Sequence, residues 1–171
     1  MTMTLPLSQR VQDALERNPG AMTMQLAHDF EVPEVEILRA LPPGRAVELD
    51  LTRWQDLFGR LENLGKVHVI VSNGAVTLEA IGELGNFSTW GDFFNVQTKS
   101  LDMHIRYNNL AAAFAVAKPS HMSGVNTLSL QFYDKSGASA FKVFLSFGDK
   151  APAPDKAAWF QRVREEFRVN H

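Results

Sequence analysis

The 171-residue chain contains no cysteine, which excludes disulfide frameworks, thiolate catalysis and cysteine-based zinc sites. No stretch approaches the ~20 consecutive apolar residues that a bilayer-spanning helix needs. The opening segment, MTMTLPLSQRVQ, has neither the basic start nor the apolar run of a secretory signal. A cytoplasmic protein with no stable membrane insertion is therefore expected. An excess of charge of one sign is also missing. Seventeen Lys and Arg against nineteen Asp and Glu leave a formal net charge of −2, which argues against a general nucleic-acid binder. Neither G-x-x-x-x-G-K-[ST] nor G-x-G-x-x-G nor G-x-S-x-G occurs. The five histidines (28, 68, 104, 121 and 171) form no H-x-x-x-H pair. Nucleotide loops, a nucleophile elbow and a zinc-hydrolase site are thus not signalled.

What is present is a globular composition, 45 % hydrophobic and 21 % charged, with two hydrophobic periods in succession. Residues 8 to 64 read as a helical N-terminal part. Ser8 can cap a first helix carrying Val11, Ala14 and Leu15, ended by Asn18-Pro19-Gly20. MTMQLAHDF and PEVEILRAL follow as two short helices, the second with Pro33 at its start. Leu51, Trp54, Leu57, Phe58 and Leu61 then mark an amphipathic helix over about 50–63.

From Lys66 to about residue 148 the period is 2. KVHVIVS and AVTLEAI flank Asn73-Gly74, a two-residue hairpin signal that pairs His68 with Glu79 and Ile70 with Thr77. DFFNVQT, LDMHIRY, LAAAFAVA, NTLSLQFYD and ASAFKVFLSF complete the strands, and LAAAFAVA reads as buried on both faces. A final helix over about 155–168 carries Trp159, Val163 and Phe167. Helices, then antiparallel strands, then one helix define a single α+β domain with a mainly antiparallel sheet core. So few strands leave edges that must be covered or paired, so a homodimer is expected.

MTMQLAHDFEVPEVEILRAL has the proportions of a helix-turn-helix, the pattern of a regulatory DNA-binding module. Its second helix begins with Glu34 and Glu36, which phosphates repel, so a structural cap is the preferred reading and no nucleic acid is expected. His28 reads as a surface residue and His171 as terminal. His121 and Met122 sit side by side in the loop KPSHMSG, both with metal-ligating atoms.

In LDMHIRY, His104 and Arg106 share one strand face. The plain interpretation is a solvated face. The alternative is a seat for a flat anionic ligand such as haem, with imidazole for iron and guanidinium for propionates.

Several stretches in order resemble the intracellular haem-utilisation carriers of the HutX/ChuX group, which are related to the repeated halves of larger haem-handling proteins. They are EVPEVEILRALP, GKVHVIVSNGAVTLEAIGELG, GDFFNV, MHIR, AVAKPSHMSG and FYDKSGASAFKVFL. The resemblance implies a homodimer that binds haem b as cargo and delivers it to a haem-degrading partner, without catalysis of its own. It places the family histidine on His104, the iron ligand, with Arg106 as propionate partner. His68, Trp90 and Phe94 become pocket walls, and His121 and Met122 further candidate iron ligands. A second histidine found in some relatives falls on Ser72 here. A haem- or tetrapyrrole-modifying enzyme is the alternative function.

Overall fold

The computed structural model describes residues 5–148 and 150–170; His171 lies outside them. Among the described residues, five α-helices and nine strands follow one another as two helical groups around a run of strands. The first three helices are α1 (Leu7–Arg17), α2 (Thr23–Phe30) and α3 (Glu34–Ala40), followed by strand β1 (Ala46–Leu49) and helix α4 (Trp54–Gly59). Then come β2 (Lys66–Ser72), β3 (Thr77–Glu83), β4 (Phe87–Trp90), β5 (Phe93–Gln97) and β6 (Asp102–Arg106). The chain continues with β7 (Leu110–Pro119), β8 (Asn126–Asp134), β9 (Ser139–Phe144) and α5 (Pro154–Phe167). This is the expected α+β architecture. Two strands, β1 and β4, have no sequence counterpart because four residues are too few to establish a period of 2. The helix expected over 50–63 is a short 3-10 turn, capped by the Asp50 side chain, followed by α4.

The strands form two antiparallel sheets. The larger has the order β1-β7-β8-β9-β2-β3 and the smaller β4-β5-β6. The first hairpin corrects the expected register. Ser72 pairs with Thr77 and His68 with Ile81, so four residues, not two, make the turn. A two-residue type I′ turn needs positive φ at both central positions. Only Gly74 of this turn adopts it. The Asn73 side chain instead accepts from the amides of Ala75 and Val76, closing a wider turn.

One face of the large sheet, carrying Val67, Val69, Leu130, Phe132, Phe141 and Val143, shares a continuous core with α4, α5 and the inner face of the small sheet. Phe58 lies at its centre, 5.0 Å from the Phe94 ring and 5.3 Å from Phe132. The opposite face is only half covered. α1–α3 pack together through Val11, Leu26, Ala27 and Ile37, and α3 lays Val35 and Leu38 on Ala112, Phe114, Val116 and Tyr133. Strand β7 is thus buried on both faces from Ala112 to Val116, as its apolar run demands. The helices reach β9 only through the Glu34–Lys142 pair and stop short of β2 and β3.

A close approach fixes the helices on the sheet. Gly137 in the β8–β9 turn has φ 83°, its carbonyl accepts from Val35 N, and a Cβ there would lie 2.7 Å from Pro33 Cβ. Gly137→Ala is therefore expected to destabilise the fold by about 1–3 kcal/mol through left-handed strain and steric overlap. A urea midpoint unchanged from the wild type would contradict this.

Edge protection is one-sided. The outer edge of β1 is covered by the end of α5, through Asp50 N to Phe167 O at 2.6 Å and Val169 N to Glu48 O at 3.0 Å. Among the described residues no strand pairs with the outer edge of β3, where only Glu83 finds partners, in Ser100 and Thr98.

Candidate functional site

Where the helices leave the large sheet, they wall a cleft of about 450 Å3 whose floor is the open part of β8, β9, β2 and β3. Alternation decides what stands there. His68, Ile70 and Ser72 point outward from β2 because Val67 and Val69 point into the core. Ser129 and Gln131 from β8 and Lys142 and Phe144 from β9 join them by the same rule. Met22 and Met24 overhang from the start of α2. His121 and Met122 close the rim from the β7–β8 loop, with Met122 77 % exposed. That loop is held directly against the helices: a Cβ on Gly20 would meet Ser120 O at 2.7 Å and His121 Cα at 2.9 Å.

The cleft is asymmetric in charge. At its inner end Glu34 is buried and holds Lys142 in an ion pair, while accepting from Thr23 Oγ1 at 2.7 Å and, at 3.4 Å, from the Tyr133 hydroxyl. The Tyr133 hydroxyl also approaches Gln131 Oε1 at 2.7 Å, and Gln131 Nε2 donates to Ser129. Burial first, and then the Glu34 charge, push the Tyr133 phenol well above its ordinary range. Glu34, noted in the sequence only as a charge that phosphates repel, is thus an internal fastener between α3 and the sheet.

Lys118 is different. It lies at the end of β7, is largely buried, and donates to the carbonyl of Pro119 at 3.1 Å. No carboxylate among the described residues pairs with it. Burial, and then the Lys142 and Arg45 charges, lower its pKa to about 8. An uncompensated cation beside apolar walls is a site for an anionic group of a ligand. Its sequence signal was the one charge ending an otherwise apolar strand. Lys142 likewise is a single cation on the alternate positions of β9.

The residues expected to form one site are divided between two. His68 lies on the cleft floor with Nε2 3.5 Å from Glu79 Oε1, and His121 and Met122 line the same cleft. His104, Arg106 and Trp90 stand on the outer face of the small sheet, which points away from the shared core. Within one chain the cleft and this face look in opposite directions. Phe94 is not beside Trp90. It is on the inner face, 8 % exposed and packed on Phe58, because adjacent strand residues alternate. Phe93 takes that outer place, with the Arg106 guanidinium 4.6 Å from its ring centroid.

His104 is nevertheless held by a buried partner. Asn95 is buried, and its amide nitrogen donates to Ser88 Oγ at 3.3 Å, so its oxygen accepts from His104 Nδ1 at 2.7 Å. This bond orients the ring and turns Nε2 to the outer side, as second-sphere partners do for ligating histidines. Asp102 Oδ1 lies 3.4 Å from Nε2, and the His104 side chain is 55 % exposed.

The model of the "haemin-degrading HemS.ChuX domain" matches residues 31–166. The chain belongs to the HemS/ChuX domain family. The intracellular haem transport protein HutX of Vibrio cholerae is 22 % identical over 95 % of this chain and 84 % of its own length. Among solved structures, the haem-binding protein ChuX superposes with a TM-score of 0.78 at 22 % identity, covering 91 % of this chain and 97 % of that one. The haem-degrading enzyme ChuS of Escherichia coli O157:H7 gives 0.78 at 23 % identity over 96 % of this chain, but only 47 % of its own. The HemS/ChuX fold is therefore shared along nearly the whole chain, and in ChuS the matched unit occupies about half of a longer polypeptide. No helix among the described residues is long and apolar enough to cross a membrane.

Proposed function

We propose that this HemS/ChuX member is a cytoplasmic haem carrier that takes up haem b in the cleft and passes it to a haem-degrading partner. One observation carries the reading: a single cleft combines imidazole and thioether donors with an unpaired, largely buried lysine. A porphyrin is flat and apolar, with iron at its centre and two carboxylates on one edge. The sheet floor with Ile70 and Phe144 offers a flat apolar bed, and Met22, Met24 and Met122 supply an adaptable rim. Lys118 is the propionate partner, with Lys142 already engaged by Glu34. His68 on the floor and His121 or Met122 on the rim are the intrachain iron donors. The absence of a second histidine at Ser72 and the cleft's openness suit cargo that has to leave again, since release rate falls as affinity rises.

Titration of the protein with hemin is expected to give a shifted Soret band saturating at one haem per chain. An unshifted band, or one equal to that of hemin with an unrelated protein, would remove the proposal. Incubating the complex with a reductant and oxygen tests the enzymatic alternative: a carrier keeps its Soret band, and an enzyme loses it with release of iron.

A further inference from the structure

Lys118 and Pro119 line not only the cleft but a second cavity, of about 540 Å3. Its walls come from one stripe of α1, the Pro42-Pro43 turn after α3, and the neighbouring start of β1 and end of β7. We infer that this cavity is a separate site for a small organic monoanion, a carboxylate on an apolar body, held by Arg45 and Lys118. Its occupancy loosens the ligand of the cleft through the shared lysine. That coupling rests on haem being the cleft's ligand; the second site does not.

Strand pairing brings the two cations together. β7 runs antiparallel to β1, and Ala117 N donates to the Arg45 carbonyl at 2.8 Å, so Arg45 and Lys118 are neighbours across the end of the ladder. Burial first, and then the Lys142 and Arg45 charges, disfavour the protonated form of Lys118. Among the described residues no carboxylate forms an ion pair with Lys118 or with Arg45. Glu34 is taken by Lys142. An anion between Arg45 and Lys118 therefore relieves a repulsion that the free protein bears. It meets a planar guanidinium fork, which matches a carboxylate, and an ammonium steadied by the Pro119 carbonyl at 3.1 Å.

The rest of the cavity sets the body of the ligand. Ser8, Gln12, Leu15 and Glu16 recur at helical spacing, so a single stripe of α1 forms one wall. Leu15, Leu41, Pro42, Pro43 and Pro119 make the lining mostly apolar, and the fixed φ of proline keeps it stiff. The volume falls in the range of small-molecule sites, roughly 300–1,000 Å3, more than an inorganic anion fills. Glu16 accepts from Gln12 Nε2 at 3.1 Å and keeps a negative charge on the helix side. A second anionic group on the ligand would meet that charge, which favours one carboxylate on an uncharged body. Coupling to the cleft follows from the lysine. Two anions drawing on one ammonium oppose each other, so filling the second cavity weakens the hold on a propionate. By linkage, haem weakens the hold on the small anion by the same factor. A carrier whose cargo must leave thereby has a signal for release.

Fluorescence titration of the full chain with 2-naphthoate, a two-ring body bearing one carboxylate, tests both statements. Saturable binding at a single site per chain is expected, weaker by about tenfold in Arg45→Gln. The neutral 2-naphthamide should not bind at the same concentrations. Arg45 does not line the cleft, so without naphthoate the hemin affinity of Arg45→Gln should stay within about twofold of the wild type's, the effect of a screened remote charge. Saturating naphthoate should lower the wild type's hemin affinity by about fivefold, and that of Arg45→Gln at the same concentration far less. No saturable binding, equal binding of acid and amide, or binding unchanged in Arg45→Gln overturns the second site. Equal loss of hemin affinity in both proteins means that naphthoate competes inside the cleft, and overturns it as well. Naphthoate binding that leaves hemin affinity unmoved overturns the coupling alone. A wild type that binds naphthoate but gives no Soret shift with hemin refutes haem as the cleft's ligand and upholds the second site.

Discussion

Lys142→Met is expected to cost about 3–5 kcal/mol of folding stability, because it leaves the buried Glu34 carboxylate without its cation. The hydroxyls of Thr23 and Tyr133 remain as donors, but neutral donors do not balance a charge withdrawn from water. The loss falls on the contact between α3 and β8–β9, so the helical wall of the cleft loosens with it. Replacing both partners by apolar residues, Glu34→Leu with Lys142→Met, should recover most of the loss, since what destabilises is the uncompensated charge and not the missing attraction. Urea denaturation of the two single variants and the double variant gives the coupling directly, at constant slope. Equal destabilisation by the single and double substitutions would show that the ion pair is not what fastens the helices.

Lys118→Met is expected to act the other way on stability and to weaken ligand binding. The folded-state pKa of Lys118 is about 8, against 10.5 for a free lysine. Below pH 8 the residue is charged in both states and the folded protein bears the full cost of its burial. As pH rises from 8 to 10.5 the folded state releases the proton first, so the cost fades across that window. After allowance for solvent screening of a partly exposed group, the cost at pH 7 is about 1–2 kcal/mol. Methionine removes it, so the variant should be more stable than the wild type at pH 7 by that amount and equal to it near pH 10.5. Hemin affinity should fall by about tenfold or more, the weight of one charge-assisted contact to a propionate. A variant that is less stable at pH 7, or that binds hemin unchanged, would mean Lys118 is not held in reserve for an anion.

Most of the local structure was legible. The change from a period of 3.6 to a period of 2 at Lys66 located the sheet, the all-apolar β7 announced its double burial, and Lys135-Ser136-Gly137 marked a turn that the structure contains. Side-chain hydrogen bonding defeated the first hairpin's register, because Asn73 caps its own turn and widens it. The partner of Glu34 was out of reach of the sequence for a related reason. A glutamate at a helix start is usually solvated, and only the arrival of Lys142 from 108 residues away makes its burial tolerable.

The amino-acid sequence by itself determined which residues share a face: His68 with Ile70 and Ser72, His104 with Arg106, Lys118 with Val116. It did so because a strand's side chains alternate whatever surrounds them. It also supplied the family resemblance, which the HemS/ChuX match over residues 31–166 established. Only the tertiary structure decided which of those faces meet. Alternation leaves each strand with two sides and says nothing of what packs on either, so the split into two sheets put His68 in a cleft and His104 on the opposite surface. The helices, docked through Glu34, Lys142 and Gly137 by contacts distant in sequence, turned one half of one sheet face into that cleft.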